Sequence, residues 1–156
     1  MKKMITALLS ALCLCSTFQG FAQPSSTSHS VNSINWNSNY NEASKLAQTS
    51  SKPLLILFTG STWCPACIQL EREILSRPEF AQAIGDKFVF YKAEFDATGD
   101  MTHSQNKMLF DRYGVEVFPT IVVVNSSGQK LFNVYYQSGG NVNSYVRQLT
   151  QGISQQ

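Results

Sequence analysis

This sequence has few histidines and no large excess of charge of either sign. Its 156 residues include two histidines, and 12 lysine and arginine residues stand against 10 aspartate and glutamate residues. The basic residues do not cluster, although a protein that binds nucleic acid or an anionic membrane surface uses such clusters to attract phosphate groups. We therefore expect no nucleic-acid partner.

The sequence also lacks an apolar run long enough to span a membrane. Its longest run, residues 4–18, has about 15 residues, whereas a spanning helix needs roughly 20. The run follows the basic start Met1–Lys3 and precedes small residues ending at Ala22, the pattern of a signal peptide cleaved after Ala22. Cys13 and Cys15 each follow a leucine, which disfavours a lipid-anchored form. We predict export to the periplasm, with an uncleaved membrane anchor as the alternative.

Loss of residues 1–22 would leave equal numbers of basic and acidic residues, and two cysteines, Cys64 and Cys67. Residues 23–34 are rich in serine, threonine and asparagine and are predicted to form a flexible leader. Residues 35–156 suffice for one domain with its own core. Because exported proteins meet oxidising conditions, a lone cysteine pair in one is usually a disulfide or a redox couple.

Apolar residues along the domain follow patterns that alternate between helix and strand. Leu54–Phe58 is a continuous apolar run, typical of a strand buried on both faces, and Thr120–Val124 is a second, β-branched run. Helical spacing separates and flanks these runs, and a turn follows the second. The predicted order is α-β-α-(α)-β-α-β-β-α. This order predicts an α/β fold with a central mixed sheet flanked by helices on both faces.

The two cysteines lie in the stretch WCPAC, where the first buried strand turns into a helix. Cys64 is predicted at the helix start, where unpaired N–H groups and the helix dipole favour a thiolate and lower the pKa of the thiol. Pro65 suits the first helical position. Cys67, one turn further on, should be more buried. Cys64 could then attack a substrate disulfide, and Cys67 could resolve the mixed disulfide.

Other uses of a cysteine pair fit less well. A structural zinc site needs four ligands, and the two histidines, His29 and His103, show no paired spacing. Haem attachment needs a histidine after the second cysteine, where Ile68 stands. A structural disulfide would close too small a loop to stabilise the fold much. The favoured interpretation involves no metal and no cofactor, but a copper chaperone stays open because Met101, His103 and Met108 are close in sequence.

The surroundings of the pair carry a family resemblance. The strand-turn-helix KPLLILFTGSTWCPAC, the downstream VFPT and the hairpin after it resemble the thioredoxin-like superfamily. The segments INWNSNYNEASKLAQTSSKPLL and WCPACIQLEREILSRPEF look like the exported thioredoxin-like proteins of the bacterial Dsb group. The resemblance implies a thioredoxin fold and a thiol-disulfide oxidoreductase, with Cys64 as the nucleophile and Cys67 as the resolving thiol.

The resemblance also implies a substrate-binding surface. Pro119 matches the proline that is cis in this superfamily, so Phe118 would help to form the edge on which an extended substrate docks. Trp63 would pack beside the thiols and cover them. Pro65 and Ala66, between the cysteines, would complete the surface.

One position departs from the family. Thioredoxins have a buried aspartate on the strand before the first cysteine, and that position is Phe58 here. Glu71, Lys92 and Glu94 are the candidates for proton transfer in its place, because a charged group near a thiol shifts the pKa of that thiol. A plain surface role is the alternative for each of the three.

The direction of electron flow is predicted from the same resemblance. It favours a reductase of disulfide-bonded exported proteins, and so does the lack of a histidine next to Cys64, since strong oxidants often carry one to stabilise the thiolate. Such a reductase needs an electron donor, which the resemblance implies is a membrane carrier of the DsbD type. A disulfide oxidase or isomerase is the alternative. Nothing in the sequence argues against a monomer.

Overall fold

The computed structural model describes residues 33–98 and 104–155, so the predicted signal peptide and most of the predicted leader lie outside it. In chain order, the elements are β1 (Trp36–Asn37), α1 (Tyr40–Ser50), β2 (Leu54–Thr59), α2 (Pro65–Leu70), a π-helical turn (Glu71–Leu75), α3 (Pro78–Ile84), β3 (Val89–Glu94), α4 (Gln105–Arg112), β4 (Thr120–Val124), β5 (Lys130–Tyr135) and α5 (Val142–Ser154).

The strands form one five-stranded mixed sheet in the order β1-β3-β2-β4-β5. Strands β1 and β2 both run parallel to β3, whereas β4 is antiparallel to β2 and β5 is antiparallel to β4. Strand β2 lies at the centre and every one of its residues is buried. The mixed sheet predicted from the sequence is confirmed.

Side chains of β2 alternate between two apolar cores, one on each face of the sheet. Leu54, Ile56 and Phe58 contribute to the first core, which includes Ala43 of α1 and Leu109 of α4. Leu55 and Leu57 contribute to the second core. Its members from the helices and the π-helical turn are Leu70, Ile74, Leu75, Phe80, Ile84, Tyr145 and Leu149. Helices therefore cover both faces, as predicted, and α2 lies on the second.

One strand was not predicted. Strand β1 has only two residues, Trp36 and Asn37, which pair with Phe90 and Tyr91 at the edge of the sheet. The side-chain Nδ2 of Asn37 also donates to the Phe90 carbonyl at 2.8 Å. Two residues are too few to show an alternating pattern, so the predicted order lacked this first strand.

No helix within residues 33–98 and 104–155 is long and apolar enough to cross a membrane. Over the same part of the chain, no three histidine, cysteine, aspartate or glutamate side chains lie together as a metal site would need. Met101 and His103, which left a copper site open, lie outside the described residues.

Candidate active site

Cys64 caps the N-terminus of helix α2. Its backbone is extended, its Sγ accepts a hydrogen bond from the Cys67 N–H at 3.3 Å, and Pro65 occupies the first turn. A sulfur at this place receives N–H groups that have no partner within the helix, and the dipole adds to the stabilisation of negative charge. The fold thus places the Cys64 sulfur where negative charge on it would be stabilised.

The two cysteines form a disulfide in this structure, with their Cα atoms 5.2 Å apart. Both are buried, but unequally: 7% of Cys64 and 2% of Cys67 is exposed. This is the order of burial expected from the sequence. A substrate can reach Cys64 more easily than Cys67, as a nucleophile and a resolving thiol require.

The backbone of Gly60 contacts both cysteines. Its carbonyl accepts the N–H of Trp63 at 3.2 Å and the N–H of Cys64 at 2.9 Å, which closes the turn between β2 and α2. Its own N–H donates to Cys67 Sγ at 3.4 Å. The last residue before the turn therefore holds the whole pair in register with the sheet.

Trp63 joins an aromatic cluster beside the disulfide. Its indole Nε1 donates to the Phe95 carbonyl at 2.8 Å, and its ring meets Phe118 edge-on at 5.9 Å. Phe118 in turn packs against Phe95 at 5.0 Å and against Phe110 at 5.4 Å. Trp63 nevertheless keeps 40% of its surface exposed. The cluster presents an apolar surface to solvent next to Cys64.

The loop before β4 carries the other predicted binding residues. The peptide bond between Phe118 and Pro119 is cis, and the Thr120 hydroxyl donates to the Val117 carbonyl at 2.8 Å, which closes the loop. Pro119 is buried and Phe118 is half-buried. The contact between Phe118 and Trp63 places this loop beside the turn between β2 and α2, residues 60–63, which we call the cysteine turn. Between the cysteines, Pro65 is exposed and Ala66 is half-buried.

Phe58 belongs to the aromatic cluster. It is fully buried, with its ring centre 6.0 Å from that of Phe110 and 6.4 Å from that of Phe95. Apolar rings therefore surround the position where thioredoxins have their aspartate. A charged side chain there would lose its hydration without gaining a partner.

The structure joins two of the three predicted proton-transfer candidates. Lys92 Nζ forms an ion pair with Glu71 Oε2 at 3.0 Å. Glu94 lies apart from this pair and accepts the N–H of Ser61 in the cysteine turn at 2.6 Å. Lys92 and Glu94 lie in alternation with the first-core residue Ala93, so they project from the same face of β3 as α2. A role in proton transfer stays a prediction for all three.

Sequence reasoning missed Gly60, Phe95 and Phe110. In the sequence the glycine indicates only a turn, and the two phenylalanines have an apolar character that fits any core. A signal existed for Phe95, which is the last residue of the strand that the sequence predicts over Phe88–Phe95. Its carbonyl contact with Trp63 depends on the tertiary fold.

Known proteins resemble this chain over most of its length. Residues 40–149 match the Thioredoxin-like domain family, and the chain belongs to that family. It is 28% identical over 123 residues to the disulfide bond reductase DsbH of Chlamydia pneumoniae, covering 77% of this chain and 73% of DsbH. It is 25% identical over 128 residues to the thiol:disulfide interchange protein DsbD of Photorhabdus laumondii, covering 82% of this chain but only 21% of DsbD.

The solved structure of a DsbH oxidoreductase superimposes on this chain with a TM-score of 0.69 and 26% identity, covering 81% of this chain and 89% of that structure. The thioredoxin fold predicted from the sequence is therefore confirmed. With its CxxC pair at disulfide distance, the protein is a thiol-disulfide oxidoreductase of the Dsb type.

Proposed function

We propose that the protein is an exported reductase of protein disulfides that works in the periplasm. The observation that carries the proposal is the asymmetry of the cysteine pair. Cys64 caps the helix, whereas Cys67 is more buried and its Sγ accepts the N–H of Gly60. The reducing direction is supported by the likeness to DsbH, which is a disulfide bond reductase. Ala66 next to Pro65 supports it as well, because no histidine is present there to stabilise the Cys64 thiolate further.

The reaction starts from the reduced pair. The Cys64 thiolate attacks one sulfur of a substrate disulfide, a mixed disulfide forms, and the other substrate sulfur leaves as a thiolate. The Cys67 thiolate then attacks Cys64 Sγ, which releases the second substrate sulfur and leaves the Cys64–Cys67 disulfide. Two electrons have passed to the substrate. Another dithiol must then reduce the Cys64–Cys67 disulfide, and we assign that role to a membrane carrier of the DsbD type.

Phe118 and Trp63 provide the docking surface in this scheme. An extended substrate lies along the backbone before Pro119, and its apolar side chains contact the exposed part of the Trp63 ring. The substrate backbone would form hydrogen bonds with the backbone before Pro119. Such bonds do not depend on the substrate's side chains, which suits an enzyme with several protein substrates. We propose that it acts as a monomer.

The reduction potential of the pair tests the direction. Equilibration with glutathione should give a reduction potential near that of the reductant thioredoxin, about −270 mV. A strong disulfide oxidant has a potential of about −120 mV instead. The purified protein should also reduce insulin disulfides in the presence of dithiothreitol. A potential near the oxidising end, with no insulin reduction, would exclude the reductase and favour an oxidase.

Export has a separate test. Expression of the full chain in a Gram-negative host should yield a periplasmic protein whose N-terminal residue is Gln23. Retention of the first 22 residues in the membrane fraction would instead support the uncleaved anchor.

A further inference from the structure

Gly60 differs from the glycines in this chain that are required by backbone conformation. Gly114, Gly128 and Gly139 have positive φ angles, and Gly60 does not. An alanine at position 60 would therefore meet no backbone strain. The reason for a glycine must lie in the space around its Cα atom.

That space is filled by the indole of Trp63. A Cβ atom built at position 60 would lie 2.5 Å from Trp63 Nε1 and 2.7 Å from Trp63 Cζ2, below the 3.0 Å that real Cβ atoms keep. The indole and a side chain at position 60 therefore exclude each other. Since Trp63 is 40% exposed, it can swing outward, so an added methyl group would displace the ring rather than unfold the core.

Displacement of the ring would break contacts with two other parts of the site. The indole N–H would lose the Phe95 carbonyl, now 2.8 Å away, and the ring would lose its edge-on contact with Phe118. These contacts link the cysteine turn to the end of β3 and to the loop before β4. The absence of a side chain at position 60 is what allows all three to meet.

We propose that Gly60 is a positioning residue, whose missing side chain forms a seat that holds Trp63 against Phe118 and so fixes the docking surface for protein substrates. The inference rests on the proposed docking of protein substrates at Phe118. Gly60 acts through Trp63, and a small disulfide that needs no docking surface should not depend on it.

The test is a double-mutant cycle of Gly60→Ala and Trp63→Leu, with Thr62→Ala as the control for a small change in the same exposed turn. Exchange is measured with insulin and with hydroxyethyl disulfide. The protein starts reduced if it reduces these disulfides, or oxidised, with the corresponding thiols, if exchange is favourable in the opposite direction. Each single substitution should slow exchange with insulin about threefold to tenfold, the range that loss of one aromatic contact gives. Exchange with hydroxyethyl disulfide should slow by a smaller factor than exchange with insulin, and Gly60→Ala should add nothing once Trp63 is leucine.

Equal loss with both disulfides, or independent effects of the two substitutions, would overturn the proposal. If Gly60→Ala fails to fold, the double variant decides, because removal of the indole should restore folding. A double variant that also fails to fold contradicts the seat.

Fluorescence separates the seat from the proposed function. In a Trp36→Phe background Trp63 is the only tryptophan, and Gly60→Ala should make it more accessible to acrylamide. Unchanged quenching would refute the seat even if the protein is a reductase. Increased quenching in a protein that exchanges with no protein disulfide would keep the seat, and would reject the docking role and the proposed function.

Discussion

Lys92 Nζ lies 3.0 Å from Glu71 Oε2, and this ion pair joins strand β3 to the π-helical turn that follows the second cysteine. The same ammonium lies 5.2 Å from the centre of the Trp36 ring. Three elements, β1, β3 and the π-helical turn, therefore meet at one cation. The pair is partly shielded, with 24% of the Lys92 side chain and 30% of the Glu71 side chain exposed.

Replacement of Glu71 by glutamine should destabilise the fold. The shielded Lys92 side chain would lose its carboxylate partner, which we expect to cost about 1 kcal/mol in the free energy of unfolding. Urea denaturation measures the change. Glu73→Gln is the matched control, because Glu73 pairs with the exposed Arg72 and its loss should change stability little. Equal midpoints for wild type and Glu71→Gln would show that the ion pair contributes nothing.

The same two variants test proton transfer at Cys67. Glu71 lies one helical turn after Cys67, where side chains are neighbours on a helix surface. If its carboxylate takes the proton from the Cys67 thiol, Glu71→Gln should slow resolution of the mixed disulfide at least about tenfold. Stopped-flow fluorescence at neutral pH follows this step. A rate that matches Glu73→Gln would remove Glu71 from the candidates and leave Lys92 and Glu94.

Single serine substitutions should separate the roles of the two cysteines. Cys67→Ser keeps the capping thiol but lacks the resolving one, so mixed disulfides with substrates should accumulate. Cys64→Ser should accumulate none, since Cys67 is only 2% exposed. Non-reducing gels of substrate mixtures give the readout, with the double serine variant as the blank. Accumulation with Cys64→Ser alone would reverse the assignment.

Tyr113 should make the fold sensitive to alkali. Burial, and then the Tyr40 hydroxyl 3.3 Å away, raise the pKa of Tyr113 above its ordinary value. In the unfolded chain the phenol ionises from about pH 10 upward, whereas the folded protein keeps its proton there. Unfolding then releases a proton, so the stabilisation is complete below about pH 10 and is lost as pH rises above it.

Removal of the Tyr113 hydroxyl should flatten this dependence. Tyr113→Phe is expected to lose less unfolding free energy than wild type between about pH 10 and pH 12, as urea midpoints at each pH would show. Tyr135→Phe is the control, because Tyr135 is exposed and should follow wild type. Parallel pH curves for wild type and Tyr113→Phe would contradict the expected proton release.

The central strands and the cysteine helix could be predicted because their signals are local. Leu54–Phe58 is apolar throughout because β2 is covered on both faces, and Pro65 marks a helix start whatever surrounds it. The placement of Cys64 at the cap followed from these two signals alone. The CxxC pair needed no tertiary information.

Features that depend on distant contacts could not be predicted in the same way. Strand β1 exists because Trp36 and Asn37 find Phe90 and Tyr91 at the sheet edge, and two residues carry no period of their own. The seat at Gly60 depends on where the Trp63 ring turns. A glycine in a turn predicts that the backbone needs conformational freedom. At position 60 the glycine instead leaves space beside its Cα atom for the Trp63 indole.

Phe58 should resist conversion to the aspartate that thioredoxins have. Phe58→Asp would place a carboxylate among the rings of Phe95 and Phe110, at a position with no exposed surface. The lost aromatic packing and the unpaired charge together should cost more than about 4 kcal/mol, enough to unfold a domain of ordinary stability. Phe58→Leu keeps an apolar side chain and should cost about 1 to 2 kcal/mol, so its loss measures packing alone.

Urea denaturation, monitored by far-ultraviolet circular dichroism, distinguishes these two variants. If Phe58→Asp stays folded and resolves mixed disulfides faster than wild type, the site can use a buried carboxylate, and the aromatic cluster is not essential. If it unfolds while Phe58→Leu stays folded, the position requires an apolar side chain, and a carboxylate there cannot take part in proton transfer. The proton of Cys67 must then leave by a route outside that cluster, as Glu71 on the opposite face of the sheet would provide.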